Sequence, residues 1–145
     1  MGADVYMAKG FDKRMEEHRV LLDELGDHPS HEQLAPLYDK IYVQGDVYYR
    51  DSYNSGSVLW AMGLSWWNDI LPMLDDEGTL DKDGIETFLG LVEDKPLSVS
   101  SEFLEHMPEG WGHADAMKYL QKEQDALISF LKKALNTEDT LSCSL

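Results

Sequence analysis

The sequence predicts an all-α fold: a single-domain bundle of four to five helices around an apolar central helix at about residues 58–71, with room for a minimal two-stranded sheet from the two termini. Three observations lead there. Several segments repeat apolar residues at the three- and four-residue spacing of a helix face. Capping residues stand at the starts of such segments. The segment from Val58 is apolar nearly all round, as a helix enclosed by others would be. With 145 residues, 43% of them apolar, and 15 aromatics (4 Trp, 7 Tyr, 4 Phe), residues 1–145 read as one acidic helical domain able to bury a core.

In chain order, residues 3–8 alternate weakly, as a short strand would. Phe11, Met15, Leu22 and Leu25 share one face of a first helix over Phe11–Leu25, and Gly26 stands where a left-handed residue closes a helix. Ser30 and Gln33 match a capping box ahead of the stripe Leu34, Leu37, Tyr38, Ile41 and Tyr42. Pro36 has no amide donor and crowds the preceding turn, so this helix is expected to begin at Pro36. Residues 45–57 mix tyrosines with turn formers.

The central helix follows, carrying Leu59, Trp60, Met62, Leu64, Trp66, Trp67, Ile70 and Leu71, with Gly63 admitting a close neighbour and Pro72 ending it. Residues 75–83 form an acidic loop. Asp83 and Glu86 make a capping box for a helix to about Val92, with Ile85, Phe88, Leu89 and Val92 inward. Ser101 caps a short helix through His106, and residues 113–135 hold the longest periodic stripe. The tail from Leu141 to Leu145 alternates like a half-buried strand.

Charge restricts function. The net charge is 12 − 28 = −16, and residues 69–109 alone carry 2 − 12 = −10. Such a chain is repelled by nucleic-acid phosphates and by anionic lipid. The longest apolar stretch, residues 58–74, is broken by Ser65, Asn68, Asp69 and Pro72, and is shorter than the ~20 residues of a membrane span. No secretory signal opens the chain, and Tyr6 stands where a myristoylation motif needs Ser or Thr. The one cysteine, Cys143, allows no internal disulfide and fits a reducing, cytoplasmic setting.

Sequence motifs for chemistry fail one after another. An EF-hand register centred on Gly84 places Asp81 and Asp83 well but lacks the first carboxylate and the closing bidentate Glu. His18, His28, His31, His106 and His113 have no cysteine partners and no zinc-ligand spacing. Gly63-Leu64-Ser65-Trp66-Trp67 lacks the final glycine of a nucleophile elbow, and no phosphate-cradling glycine loop exists. No catalytic residue, metal ligand or cofactor is assigned.

Two constellations remain. Arg50 stands almost alone among acids beside Asp51, Tyr53, Asn54 and, further on, Trp66. A guanidinium there would either pair with Asp51 and order the loop, or clamp a ligand carboxylate at the mouth of an aromatic pocket. Asp75, Asp76, Glu77, Asp81 and Asp83 would lie on an acidic surface over residues 69–109 that engages a basic or nucleic-acid-binding partner, for instance by imitating nucleic-acid charge. The sequence favours this protein–protein role over a small-molecule-binding domain or small enzyme.

Overall fold

The computed structural model of the chain describes residues 2–145. Alternating burial builds its first strand: in β1 (Gly2–Met7) Ala3, Val5 and Met7 face inward while Asp4 and Tyr6 face outward. The C-terminal strand β4 (Leu141–Ser144) lies antiparallel beside it, with Val5 opposite Cys143 and Met7 opposite Leu141. On the other side of β1 runs β2 (Tyr48–Ser52), placing Arg50 opposite Asp4 and Tyr48 opposite Tyr6. The short β3 (Thr79–Leu80) completes the sheet against β4, in the order β2-β1-β4-β3, all antiparallel.

The chain is therefore α+β, 55% helical with a four-stranded sheet, and not the all-α bundle that its periodicity suggested. The two termini do pair, but as the centre of a larger sheet. The free edge of β2 is closed locally: the Arg50 amide donates to Gln44 Oε1 (2.9 Å), and Gln44 Nε2 donates to the Arg50 carbonyl (2.8 Å). That side-chain amide stands in for a neighbouring strand, one way of blunting a sheet edge.

Beneath the inner face lie α5 (Lys82–Val92) and α7 (His113–Asn136). Ile85, Phe88 and Val92 of α5 and Leu127, Phe130, Leu131 and Ala134 of α7 enclose Val5, Met7, Leu80 and Leu141. Each large side chain so buried contributes roughly 1.5–3 kcal/mol. Gln124, buried on α7, donates to the carbonyls of Val92 (3.0 Å) and Lys95 (2.8 Å), satisfying the C-terminal end of α5. A smaller core joins Phe103 of α6 (Ser101–Glu105) to Ala61, Ala116 and Leu120.

The N-terminal helices α1 (Ala8–Glu17), α2 (Arg19–Glu24) and α3 (His31–Ile41) are more peripheral, and neither α1 nor α2 has a buried residue. Tertiary contacts hold them. The buried Asp139 accepts from the amides of Lys9 (2.9 Å) and Gly10 (2.8 Å), capping α1 from the far end of the chain. Arg14 donates to Asp46 (2.7 Å), which also pairs with Lys133, and these two cations hold the Asp46 carboxyl below the ordinary carboxylate range.

The expected central helix is absent as such. Residues 58–71 break into α4 (Val58–Ala61), a π-type turn at Trp66–Ile70 and a 3₁₀ turn at Leu71–Met73. Gly63, at φ +76°, ends α4: its amide donates to Trp60 (3.0 Å) and that of Leu64 to Leu59 (2.8 Å), the two bonds of a Schellman close. Nothing approaches within 4 Å of the Cβ that Gly63 lacks, so the glycine serves backbone conformation and not a close neighbour. Ser65 then restarts the chain, its hydroxyl accepting from the amides of Trp67 (3.2 Å) and Asn68 (3.4 Å).

Smaller expectations shift as well. The first helix divides at His18. The Ser30–Gln33 box forms as read, and α3 starts at His31, not at Pro36. The proline lies on an exposed flank near the helix start, where water can satisfy the carbonyl left without a donor. Asp81, not Asp83, caps α5 through the Gly84 amide (2.9 Å), and Ser100, not Ser101, caps α6.

Candidate functional site

Strand geometry decides the fate of Arg50 and Asp51. Successive side chains of a strand point to opposite faces, so these neighbours part: Arg50 is exposed on the outer face and Asp51 is 9% exposed on the inner one. The expected Arg50–Asp51 pair does not form. Arg50 Nη1 instead donates to both oxygens of Asp4, across the β1–β2 ladder, at 2.6 and 2.7 Å.

Asp51 becomes a structural hub. Its Oδ2 accepts from the Ser57 hydroxyl (2.7 Å) and the Trp66 indole (2.8 Å), and its Oδ1 from the Val58 amide (3.1 Å). Burial pushes its carboxyl above the ordinary carboxylate range, and these donors oppose the shift. Trp66, 2% exposed and edge-on to Phe88, is a core residue. Asn54 serves its own loop, its Oδ1 accepting from the Ser52 hydroxyl (2.9 Å) and the Gly56 amide (3.0 Å).

Two hollows flank β2. The first, about 320 Å³, touches Asp51, Gln44, Tyr119 and Glu123. Burial, and secondarily the nearby Asp51 charge, raises the Glu123 carboxyl. The second, about 560 Å³, opens on the outer face between Gly2, Asp4, Arg50, Tyr53, Trp67, Ser144 and Leu145. Trp67, not Trp66, is the tryptophan at this surface; it is 48% exposed and meets Tyr53 in a tilted contact, with centroids 5.3 Å apart and the ring planes at 45°.

Beside that hollow the outer face is aromatic. Tyr6 contacts Phe11 (4.7 Å) and Tyr48 (5.3 Å), and Tyr42 contacts Tyr48 (5.1 Å). The Tyr48 hydroxyl donates to Asp4; burial first, and that bond second, push the Tyr48 phenol up to about 12. Asp4 and Gly2 are members of the site that the sequence does not point to, and Trp67 takes the place expected of its neighbour Trp66. Asp4 becomes visible only once β2 is known to be a strand in register with β1.

The acidic candidates are exposed, but not idle. Asp75 Oδ1 accepts from the amides of Glu77 (2.9 Å) and Thr79 (2.8 Å), folding the turn into the edge strand β3, and Asp81 caps α5. Asp76, Glu77 and Asp83 have no side-chain hydrogen bond among the described residues. No three His, Cys, Asp or Glu side chains among the described residues converge as metal ligands. Cys143 sits within β4, half-buried, and burial pushes its thiol up to about 12. Among the described residues no helix is long and apolar enough to cross a membrane. No protein-family model, curated protein or solved structure matches the chain.

Proposed function

We propose that this protein acts by binding the basic surface of a protein partner, of the kind that grips nucleic-acid phosphates, through its acidic stretch at residues 69–109. The observation that carries the reading is unbalanced charge. Of the twelve carboxylates in that stretch, eleven are exposed, and Glu93 alone lies within ion-pair distance of a cation among the described residues, 3.1 Å from Lys132. Outside the stretch some carboxylates are engaged by cations or by a helix start, Asp4 with Arg50, Asp46 with Arg14 and Lys133, Asp139 on the start of α1, while others such as Asp23 and Glu32 are exposed like those of the stretch.

Repulsion among unpaired surface charges opposes compactness, and a cationic partner relieves it. The same field speeds encounter with a basic surface more than it tightens the final complex. A pocket built from Arg50, Asp51, Tyr53 and Trp66 has less support, since those side chains divide between the interior and the outer face.

The test compares the protein with an Asp75→Asn, Asp76→Asn, Glu77→Gln variant in capture of partners from its native host. Asparagine keeps the acceptor that Asp75 supplies to its turn, so the fold is retained. The expected result is a basic partner whose association slows severalfold in the variant and weakens steeply with salt. A partner held equally well by both proteins at low and high salt overturns the reading.

A further inference from the structure

The outer-face hollow beside Arg50 combines three features that the acidic stretch does not explain. Its wall is an aromatic pair, Tyr53 and Trp67, with Trp67 48% exposed although unstacked tryptophan surface is costly to leave in water. Its polar group is the Arg50–Asp4 pair, in which Nη1 alone serves Asp4. Arginine has five donors; Nη1 serves Asp4, the Tyr48 hydroxyl also lies against the guanidinium, and no other side chain among the described residues pairs with it. Its floor requires glycine. A Cβ on Gly2 would stand 2.5 Å from the Asp51 carbonyl oxygen and 3.3 Å from Arg50 Nη2, so a side chain there would displace the guanidinium or the strand.

The chemistry narrows the ligand. The local charges of Arg50 and Asp4 cancel, while the chain as a whole carries −16, so an anion is repelled at long range and gains no free cation on arrival. A cation gains no free carboxylate either, since Asp4 is already engaged by Arg50 and by the Tyr48 hydroxyl. A neutral ring remains, with one flat apolar face for the indole and with hydroxyls to accept from Arg50 and donate to Asp4. The face of an aromatic ring carries negative charge density and attracts the weakly positive C–H edges of a saturated ring. At about 560 Å³, the hollow lies within the roughly 300–1,000 Å³ of small-molecule sites. From the aromatic wall, the donor–acceptor pair and the glycine floor, we infer that the hollow bounded by Gly2, Asp4, Arg50, Tyr53 and Trp67 binds a neutral carbohydrate, one pyranose ring stacking on Trp67.

The test titrates the full chain with neutral oligosaccharides (gluco-, manno-, xylo- and N-acetylglucosamine oligomers) while following the indole N–H resonances by NMR. Oligoglucuronate, oligoglucosamine and adenosine form the counter-panel. The expected result is saturable millimolar binding of at least one neutral oligomer that shifts the Trp67 indole. Trp67→Ala should weaken it by about tenfold or more, and Arg50→Met by a similar factor. Trp60→Ala, which removes a tryptophan that is 54% exposed outside this hollow, should leave binding unchanged. Three outcomes overturn the assignment: no neutral oligomer shifts Trp67, a Trp67→Ala variant with unchanged affinity, or charged oligomers and adenosine bound as tightly as the neutral ones.

Discussion

Ala3, Val5, Met7 and Tyr49 on the inner face of the sheet are buried in the core with α5 and α7, and Asp51 beside them against α4 and Trp66, while Asp4, Tyr6, Arg50, Ser142 and Ser144 on the outer face meet aromatic side chains and solvent. The two faces use polar groups in opposite ways. On the inner face a single carboxylate, Asp51, is saturated by three donors and ties β2 to α4 and Trp66. On the outer face the guanidinium of Arg50, set against Asp4 and Tyr48, has more donors than partners beside a half-exposed tryptophan. A satisfied buried polar group specifies structure, whereas unspent donors at a surface are available to something else. Stability should therefore reside on one face and recognition on the other.

The sharpest way to break this contrast is on the inner face. Asp51→Ala leaves the Trp66 indole, the Ser57 hydroxyl and the Val58 amide without their acceptor, and should lower unfolding free energy by about 3–5 kcal/mol in urea denaturation. A loss below about 1 kcal/mol would mean that water replaces the carboxylate and that the hub is dispensable.

A second probe uses pH on the outer face. The Tyr48 phenol is raised to about 12 in the folded chain, against about 10 when unfolded. Above its unfolded value the folded chain retains a proton that the unfolded chain releases, so stability is complete below about pH 10 and is lost as pH rises toward 12. Tyr48→Phe should flatten this alkaline decline, measured as the difference in denaturation midpoint between pH 9 and 11, about one unit either side of the unfolded phenol. An identical decline in both proteins would assign the effect to other groups.

The smallest expected effect is that of Arg50→Ala. Its pair with Asp4 lies on a partly solvated face, where such pairs contribute about 1 kcal/mol or less. A much larger loss would make Arg50 a structural residue and shift recognition elsewhere on the outer face.

Legibility in the sequence follows the same division between local and long-range order. The α7 stripe, the Ser30–Gln33 box and the terminal strands are local patterns, and they appear where the residues place them. The strand β2 was not legible, because Tyr48 and Tyr49 are buried on opposite faces and Asp51 points inward, which erases the apolar alternation that marks a strand. At two residues β3 is too short to have a period.

The broken helix at residues 58–71 teaches a different lesson. Its apolar content predicted continuity, but Gly63 and Ser65 are a helix stop followed by a start, and that punctuation outweighed hydrophobicity. For the candidate site, Arg50 and Tyr53 were visible as residue types, while Asp4 and Trp67 depended on sheet register and on which tryptophan faced outward.

Those adjacent tryptophans offer the most direct test of the central claim that the two faces divide structure from recognition. Trp66 is 2% exposed and bonded to Asp51, and Trp67 is 48% exposed and tilted against Tyr53. Unfolding free energies of Trp66→Ala and Trp67→Ala should be measured side by side under one set of conditions. The account predicts a loss of about 3–5 kcal/mol for Trp66→Ala and about 1 kcal/mol or less for Trp67→Ala. Equal losses, or a larger one for Trp67→Ala, would contradict it.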